Sequence, residues 1–321
     1  MKRSVLAISA FVFALHALDA GAQAWPKKPL RAIVPVGAGS STDIVHRLVL
    51  EQVSAQLGQP VVVENRVGAG GTVGSAIVFK AEPDGYTILA HGSAHTIAPA
   101  LYKTLPYDPS RDFVAVSPVG ISPCVLVTSP ARAWSTPAGL VAAAKARPDS
   151  LNFSSVGIGT ATHLSAERFV SSAGIRATHV PFKGGAAAMV EVMTGRVDFF
   201  FGPVALVLPN VRDGKLRALA VNTTGRSAVL PDVPTLRETG YSDSEYPIWF
   251  GLFAPARTPS ALVSRLNRET QQALQAPKVR DRLAALGVDP MVMTPDQFAL
   301  HVKSEVALNA GLAQRAGLTA Q

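Results

Sequence analysis

Four short segments of this 321-residue chain gather glycine and hydroxyl-bearing residues just ahead of helical patterns. They are Pro35-Val36-Gly37-Ala38-Gly39-Ser40-Ser41-Thr42-Asp43, His91-Gly92-Ser93-Ala94-His95-Thr96, Ser154-Ser155-Val156-Gly157-Ile158-Gly159-Thr160 and Pro181-Phe182-Lys183-Gly184-Gly185. The first turn of a helix has N–H groups without intrahelical partners and a partial positive charge, so such starts bind carboxylate or phosphate. Ordinary turns and caps use the same residues, so a single loop carries little weight. The repetition along the chain is what favours a ligand. Lys183 is the cationic candidate among these residues. Asp43 reads as a first-turn partner of the helix dipole, and Asp198, at the end of a strand, reads equally as a tie for a neighbouring loop.

Other chemistries lack their residues. Gly37-Ala38-Gly39 follows a strand, but Thr42 stands where a dinucleotide fingerprint needs its third glycine. Gly68-Ala69-Gly70-Gly71-Thr72-Val73-Gly74 misses that spacing too, and neither loop leads into Gly-Lys-Ser/Thr. His91 and His95 have the spacing of helical metal ligands, but Gly92 and Ser93 argue for a loop between them. No nearby Glu or Cys completes a site, so both read as surface or pocket-rim histidines. There is no Gly-x-Ser-x-Gly elbow, and Ser154, Ser155 and His163 form no triad pattern. The sequence thus offers no catalytic residues, no metal site and no cofactor, and no enzyme is expected.

The elements that must position these loops alternate in type. Short β-branched runs are expected as strands at Leu30–Val34, Val61–Val63 and Thr87–Ala90, with helices from Asp43 to Leu57 and from Thr72 to Lys80. A second series follows, with strands at 124–128, 151–154, 178–180, 197–201 and 216–221. Its helices fall at about 136–146, 162–173, 185–194 and 204–213. Trp249–Phe253 is a further strand, and Ser260–Gln275, Pro277–Leu286 and Pro295–Ala316 are helical patterns. This alternation makes an α/β chain with largely parallel sheets. Either one large doubly wound domain or two lobes fits it. Two lobes are preferred, as residues 25–121 plus 252–321 and residues 122–251, with crossings near 120–124 and 244–252.

Lys2 and Arg3, the apolar run Val5–Leu18 and the small-x-small Ala22-Gln23-Ala24 together read as a signal peptide, with cleavage expected after Ala24. The mature chain is then expected to be periplasmic. Cleavage takes the formal charge from +8 to +7, since Lys2, Arg3 and Asp19 leave together. That excess suits an anionic ligand or a membrane surface. Nucleic acid is disfavoured because the basic residues are scattered and no aromatic-rich binding motif accompanies them. Cys124, the single cysteine, has no internal disulfide partner and reads as a buried small hydrophobe in a strand.

The chain also resembles the Bug family, the substrate-binding receptors of tripartite tricarboxylate transporters. The resemblance runs from Trp25 to the C-terminus. It rests on Trp25-Pro26-x-Lys28-Pro29, Val34-Pro35 with Thr42-Asp43, Leu57-Gly58-Gln59-Pro60-Val61-Val62-Val63-Glu64-Asn65-Arg66, and Gly68-Ala69-Gly70-Gly71. Pro83-Asp84-Gly85-Tyr86-Thr87, Leu105-Pro106-Tyr107-Asp108-Pro109, Val180-Pro181-Phe182-Lys183-Gly184 and Gly195-Arg196-Val197-Asp198 add to it. So do Leu216-Arg217-Ala218-Leu219-Ala220 and Leu230-Pro231-Asp232-Val233-Pro234-Thr235. The resemblance implies a two-lobed periplasmic binding protein fold (type II) with two interlobe crossings, and no catalysis. It implies a small carboxylate ligand delivered to transporter membrane subunits by a monomer. A sensor that presents its ligand to a two-component system is the alternative, and a periplasmic hydrolase the remoter one.

Carried onto this chain, the family's ligand positions fall at Val36, Gly37, Ala38, Gly39, Ser40, Ser41, Ser93, Thr96, Ser154, Ser155, Gly159, Thr160, Phe182, Lys183, Gly184 and Asp198. The family commonly pairs glycines in the first loop, whereas here Gly39 is followed by Ser40. A side chain there restricts positive φ while offering a hydroxyl.

Overall fold

The computed structural model describes residues 25–315 and 317–318. The signal peptide expected over residues 1–24 therefore lies outside the described residues. Among those described, no helix is long and apolar enough to cross a membrane.

Two separate sheets form. The first is six-stranded, in the order β11-β4-β10-β3-β1-β2. Its strands are β1 (Leu30–Val34), β2 (Val61–Asn65), β3 (Thr87–Gly92), β4 (Phe113–Ser122), β10 (Ile248–Pro255) and β11 (Asp289–Pro290). β1 runs parallel to β2 and β3, while β10 is antiparallel to both β3 and β4. The second is five-stranded, in the order β7-β6-β8-β5-β9. It contains β5 (Cys124–Thr128), β6 (Asn152–Ser155), β7 (Thr178–Pro181), β8 (Phe199–Pro203) and β9 (Arg217–Val221).

Both sheets are covered on both faces, and side-chain alternation assigns each residue its side. On β1, Leu30, Ala32 and Val34 pack with Val45, Val49 and Val53 of α1 (Ser41–Leu57), and with α8 (Ser260–Gln275) and α9 (Pro277–Ala285). Ile33 points the other way, into a cluster with Val78, Trp249, Phe253 and Phe298. That side carries α2 (Thr72–Phe79), α3 (Ser93–Leu101) and α10 (Pro295–Arg315). In the second sheet the run Phe199-Phe200-Phe201 divides in the same manner. Phe199 and Phe201 face α4 (Pro137–Ala146) and α5 (Ala161–Ser172). Phe200 faces α6 (Gly185–Met193) and α7 (Val204–Arg212). All three rings are fully buried, each contributing about 1.5–3 kcal/mol.

Two strong elements depart from the sequence reading. β4 was not anticipated, because Pro118 and Gly120 weaken a strand pattern. The strand survives through irregular register against β10: Phe250 pairs with Gly120 and Gly251 with Pro118, so Val119 is an extra residue. α3 stands where the sequence predicts a loop, since Gly92 precedes it, Ser93 opens it and Pro99 lies inside it. The chain passes between sheets at Pro123 and again just before Ile248. Residues 248–251, expected in the second lobe, are therefore strand in the first sheet.

Candidate anion-binding cleft

Strand direction brings the glycine-rich loops together. In the first sheet Ile248 pairs with Ser122 and Phe250 with Gly92, so one edge holds the carboxyl ends of β1, β3 and β4. In the second, Cys124 pairs with Pro203, and β6 and β7 run parallel to β8. One edge there holds the carboxyl ends of β6, β7 and β8 beside the start of β5. Only Pro123 separates β4 from β5, so these two edges meet across the crossing. All four loops lie on them, at the position where open α/β sheets receive ligands.

The first loop is built around Asp43. Its carboxylate accepts from Gly39 N at 2.9 Å, from Asn65 Nδ2 at 2.8 Å and from Arg47 Nε at 2.9 Å. Burial opposes its charge, but these three donors outweigh burial and hold the carboxyl below its ordinary value. Gly39 has φ +79°, a left-handed conformation that glycine adopts without strain. Ser40 sits at φ −69°, ψ 159° as the N-cap of α1, and its hydroxyl accepts from Asp43 N at 3.3 Å. The serine therefore needs no positive φ, and the restriction anticipated for it does not arise.

Across the cleft, α5 and α6 begin without any side-chain cap, as does α7. The first amides of α5 and α6 are left to a ligand or to water, whereas Val204 N at the start of α7 donates to Pro123 O at 3.0 Å. The loop before α5 is shaped from within. Gly159 N donates to His163 Nδ1 at 3.0 Å, Val156 N donates to Thr162 Oγ1 at 3.1 Å, and Thr160 Oγ1 donates to Gly157 O at 2.7 Å. The His163 ring stacks on His179 at 3.7 Å, and His179 Nε2 meets Ser155 Oγ at 2.7 Å. Ser154 Oγ donates to Ala188 O at 3.2 Å. Both serine hydroxyls thus serve the fold, and the amides of Gly159 and Thr160 are bonded within the loop as well, Thr160 N to Gly157 O at 3.3 Å, so this side offers the first-turn amides of α5 that follow Thr160. Phe182 is half-buried while Lys183 and Gly184 are exposed next to it.

Gly159 also marks contact between the lobes. A Cβ there would lie 2.3 Å from Leu101 Cδ1, at the end of α3. Around this point Ile97, Leu164, Tyr246 and Leu312 form a small apolar cluster that joins α3, α5 and α10.

Three sequence-based expectations need correction. Ser93 and Thr96 lie at the cleft edge but are buried, with the Thr96 hydroxyl used as donor and acceptor and the Ser93 hydroxyl held as an acceptor. Ser93 Oγ accepts from Trp249 N at 3.0 Å, and Thr96 Oγ1 donates to Ser93 O at 2.8 Å and accepts from Asn309 Nδ2 at 3.0 Å. His91 and His95 are buried, not at a surface or pocket rim. His91 ends up on β3 and His95 on the first turn of α3, where Phe113 and Phe253 enclose it at 4.8 Å each. Among the described residues no group of three or more His, Cys, Asp or Glu is arranged to hold a metal.

Asp198 is not at the cleft. It lies just before β8 and accepts from Asn152 N at 2.8 Å, at the start of β6, which is the opposite end of the sheet. Arg132 Nη2 pairs with it at 2.7 Å. Burial raises its pKa, with the Asn152 N–H and the Arg132 charge opposing. The strand begins two residues later than its apolar pattern indicates, because Val197 packs below it, and this moved Asp198 in the sequence reading.

The sequence reading also overlooked part of the cleft wall. Gly39 and Ser41 share a recess with Ser122 at the crossing, with Ala205 and Leu206 of α7, and with Leu286 and Val288. Gly202-Pro203 ahead of α7 was the available signal, since it is another strand end leading into a helix start.

Comparison with known proteins agrees with this architecture. The family model described as tripartite tricarboxylate transporter family receptor matches residues 45–318. The protein BugT of Bordetella pertussis is 36% identical over 320 residues, covering 99% of this chain and 98% of that protein. The solved structure of the periplasmic binding protein BugD is 34% identical with a TM-score of 0.78, covering 92% of this chain and all of that one. Rpa4515 of R. palustris, solved with adipate, is 30% identical with a TM-score of 0.81, again over 92% of this chain and all of that one. With its two sheets, its facing strand ends and a family match over most of its length, the chain belongs to the tripartite tricarboxylate transporter receptor family, whose members are periplasmic solute receptors.

Proposed function

We propose that this protein captures a small carboxylate between its two lobes and delivers it to the membrane subunits of a tripartite tricarboxylate-type transporter, with no catalytic turnover. The single observation that carries this reading is the pair of uncapped starts of α5 and α6 on an edge facing the Gly39–Ser41 turn. Amides there attract a carboxylate without fixing the rest of the ligand. The adipate in Rpa4515 supports the ligand class.

The proposed ligand contacts are Val36, Gly37, Ala38, Gly39, Ser40 and Ser41 from one lobe. Gly159, Thr160, Phe182, Lys183 and Gly184 come from the other. The lobes are the six-stranded and five-stranded sheets with their helices, and the hinge is the pair of crossings at Pro123 and before Ile248. Ligand held by one lobe adds donors from the second, and closure needs a preference of only a few kcal/mol for the closed form. The protein acts as a periplasmic monomer after cleavage behind Ala24.

Thermal-shift screening of the purified mature protein against a carboxylic-acid panel tests the reading. A ligand at a hundredfold its Kd adds about 2.7 kcal/mol of stability. A panel that leaves the transition unmoved, or turnover of any acid in it, counts against a receptor.

A further inference from the structure

The recess next to Gly39 and Ser41 has a lining that the anion reading does not use. Its volume is about 290 Å³, and it is bounded by both lobes and the crossing. Beyond Gly39, Ser41 and Ser122, its walls are hydrocarbon: Ile44 and Val45 of α1, Ala205 and Leu206 of α7, Leu286 and Val288. No charged side chain lines it. The nearby arginines Arg47 and Arg282 line a separate recess on the outer side of Ile44 and Leu286. Arg47 is moreover committed to Asp43 and Asn65. Ile44 stays 40% exposed, an apolar side chain left to water where the helix start would hold an anion.

We propose that this recess is a subsite for the hydrocarbon body of the ligand, and that the preferred ligand is a monocarboxylate with a hydrocarbon body of about six carbons. The inference rests on the receptor reading above and narrows its substrate class. An apolar cavity of roughly 150 Å³ accepts a benzene ring, so this one holds a ring with room for its attachment. Gly39 N is held by Asp43 and Ser40 N by Gly37 O, so a carboxylate on the remaining first-turn amides of α1, at Ser41 and Thr42, would direct the body between Ile44 and Leu206, touching both lobes at once. A second carboxylate entering here would lose its water and find no cation, which is costly. Contact with α7 gives such a ligand a direct preference for the closed form.

Calorimetry with cyclohexanecarboxylate, hexanoate and adipate tests this, using the mature protein and its Ile44→Asn variant. Hexanoate and adipate share a six-carbon skeleton and differ by one charge. The expected result is that both monocarboxylates bind at least tenfold tighter than adipate. Ile44→Asn should weaken the monocarboxylates about tenfold without changing adipate. Ile44 is partly exposed, so the variant should fold, and an unchanged melting temperature verifies that. Tighter binding of adipate, or an equal effect of Ile44→Asn on all three acids, overturns the subsite while leaving the receptor reading intact. If these acids and a wider carboxylate panel all fail to bind, both fall.

Discussion

Asn309, near the end of the last helix, donates to Thr96 Oγ1 at 3.0 Å and accepts from the Tyr246 hydroxyl. One side chain thereby ties the second loop of the cleft to the segment that returns the chain to the first sheet. It also removes Thr96 from the donors available to a ligand, because its hydroxyl proton goes to Ser93 O at 2.8 Å.

Thr96→Val keeps the shape of this side chain and removes its hydroxyl. Asn309 Nδ2 and Ser93 O are then left without that partner in a buried setting, at a cost of about 1–3 kcal/mol. Urea denaturation should register that loss, while ligand affinity of the folded variant stays within a factor of two. A large loss of affinity with unchanged stability would return Thr96 to the ligand contacts.

Asp198→Ala should behave in the same sense for a different reason. Removing the carboxylate leaves Arg132 with Gly195 O alone and frees Asn152 N at the far end of the second sheet. Destabilisation of about 1–3 kcal/mol is expected, mainly from the unpaired buried Asn152 N–H. Ligand affinity, measured well below the unfolding transition, should not change.

Gly159→Ala should act on the cleft itself. Gly159 has φ +71°, where an L side chain costs about 1–2 kcal/mol, and the new methyl would lie 2.3 Å from Leu101 Cδ1. The interlobe contact must shift, so affinity should fall at least tenfold by calorimetry. Adding Leu101→Ala makes room, and the double variant should recover part of the loss, a coupling that two independent sites would not show.

Stability should decline in mild acid. Burial pushes His95 down to about 3, and burial together with the neighbouring histidines His95 and His46 pushes His91 well below its ordinary value. Both stay neutral in the folded chain, while the unfolded chain binds protons below about pH 6.5. Their folded pKa values are depressed, so the stability they contribute is complete above that pH. It is lost as pH falls toward the folded values, by about 1.4 kcal/mol per unit for each histidine. Urea midpoints between pH 7.5 and 5 should show this decline, and His95→Leu should flatten it by one proton. A stability independent of pH across that range contradicts the assignment.

Much of the architecture was legible because apolar period and turn chemistry agreed. Leu30–Val34 and Ser260–Gln275 lie where their patterns put them, and Thr136 caps α4 by accepting from Gly139 N at 3.1 Å. The failures were places where tertiary contacts outweighed local signals. β4 accommodates Pro118 only because β10 tolerates an extra residue opposite it, and α3 holds Pro99 against a packed sheet. For the cleft, loop glycines revealed where the backbone turns, but not which hydroxyls the fold consumes. Ser93 and Thr96 find partners at Trp249 and Asn309, more than 150 residues away, and no local pattern carries that information. Leu206 and Val288 were missed because a cleft wall looks like any other helix or strand end.

Negative charge on the guest is what the helix starts are proposed to recognise. Calorimetry comparing the tightest-binding acid with its own primary amide tests this most directly, since the two differ little in shape. The acid should bind one-to-one and the amide at least a hundredfold more weakly. Equal affinity for the two would contradict charge recognition.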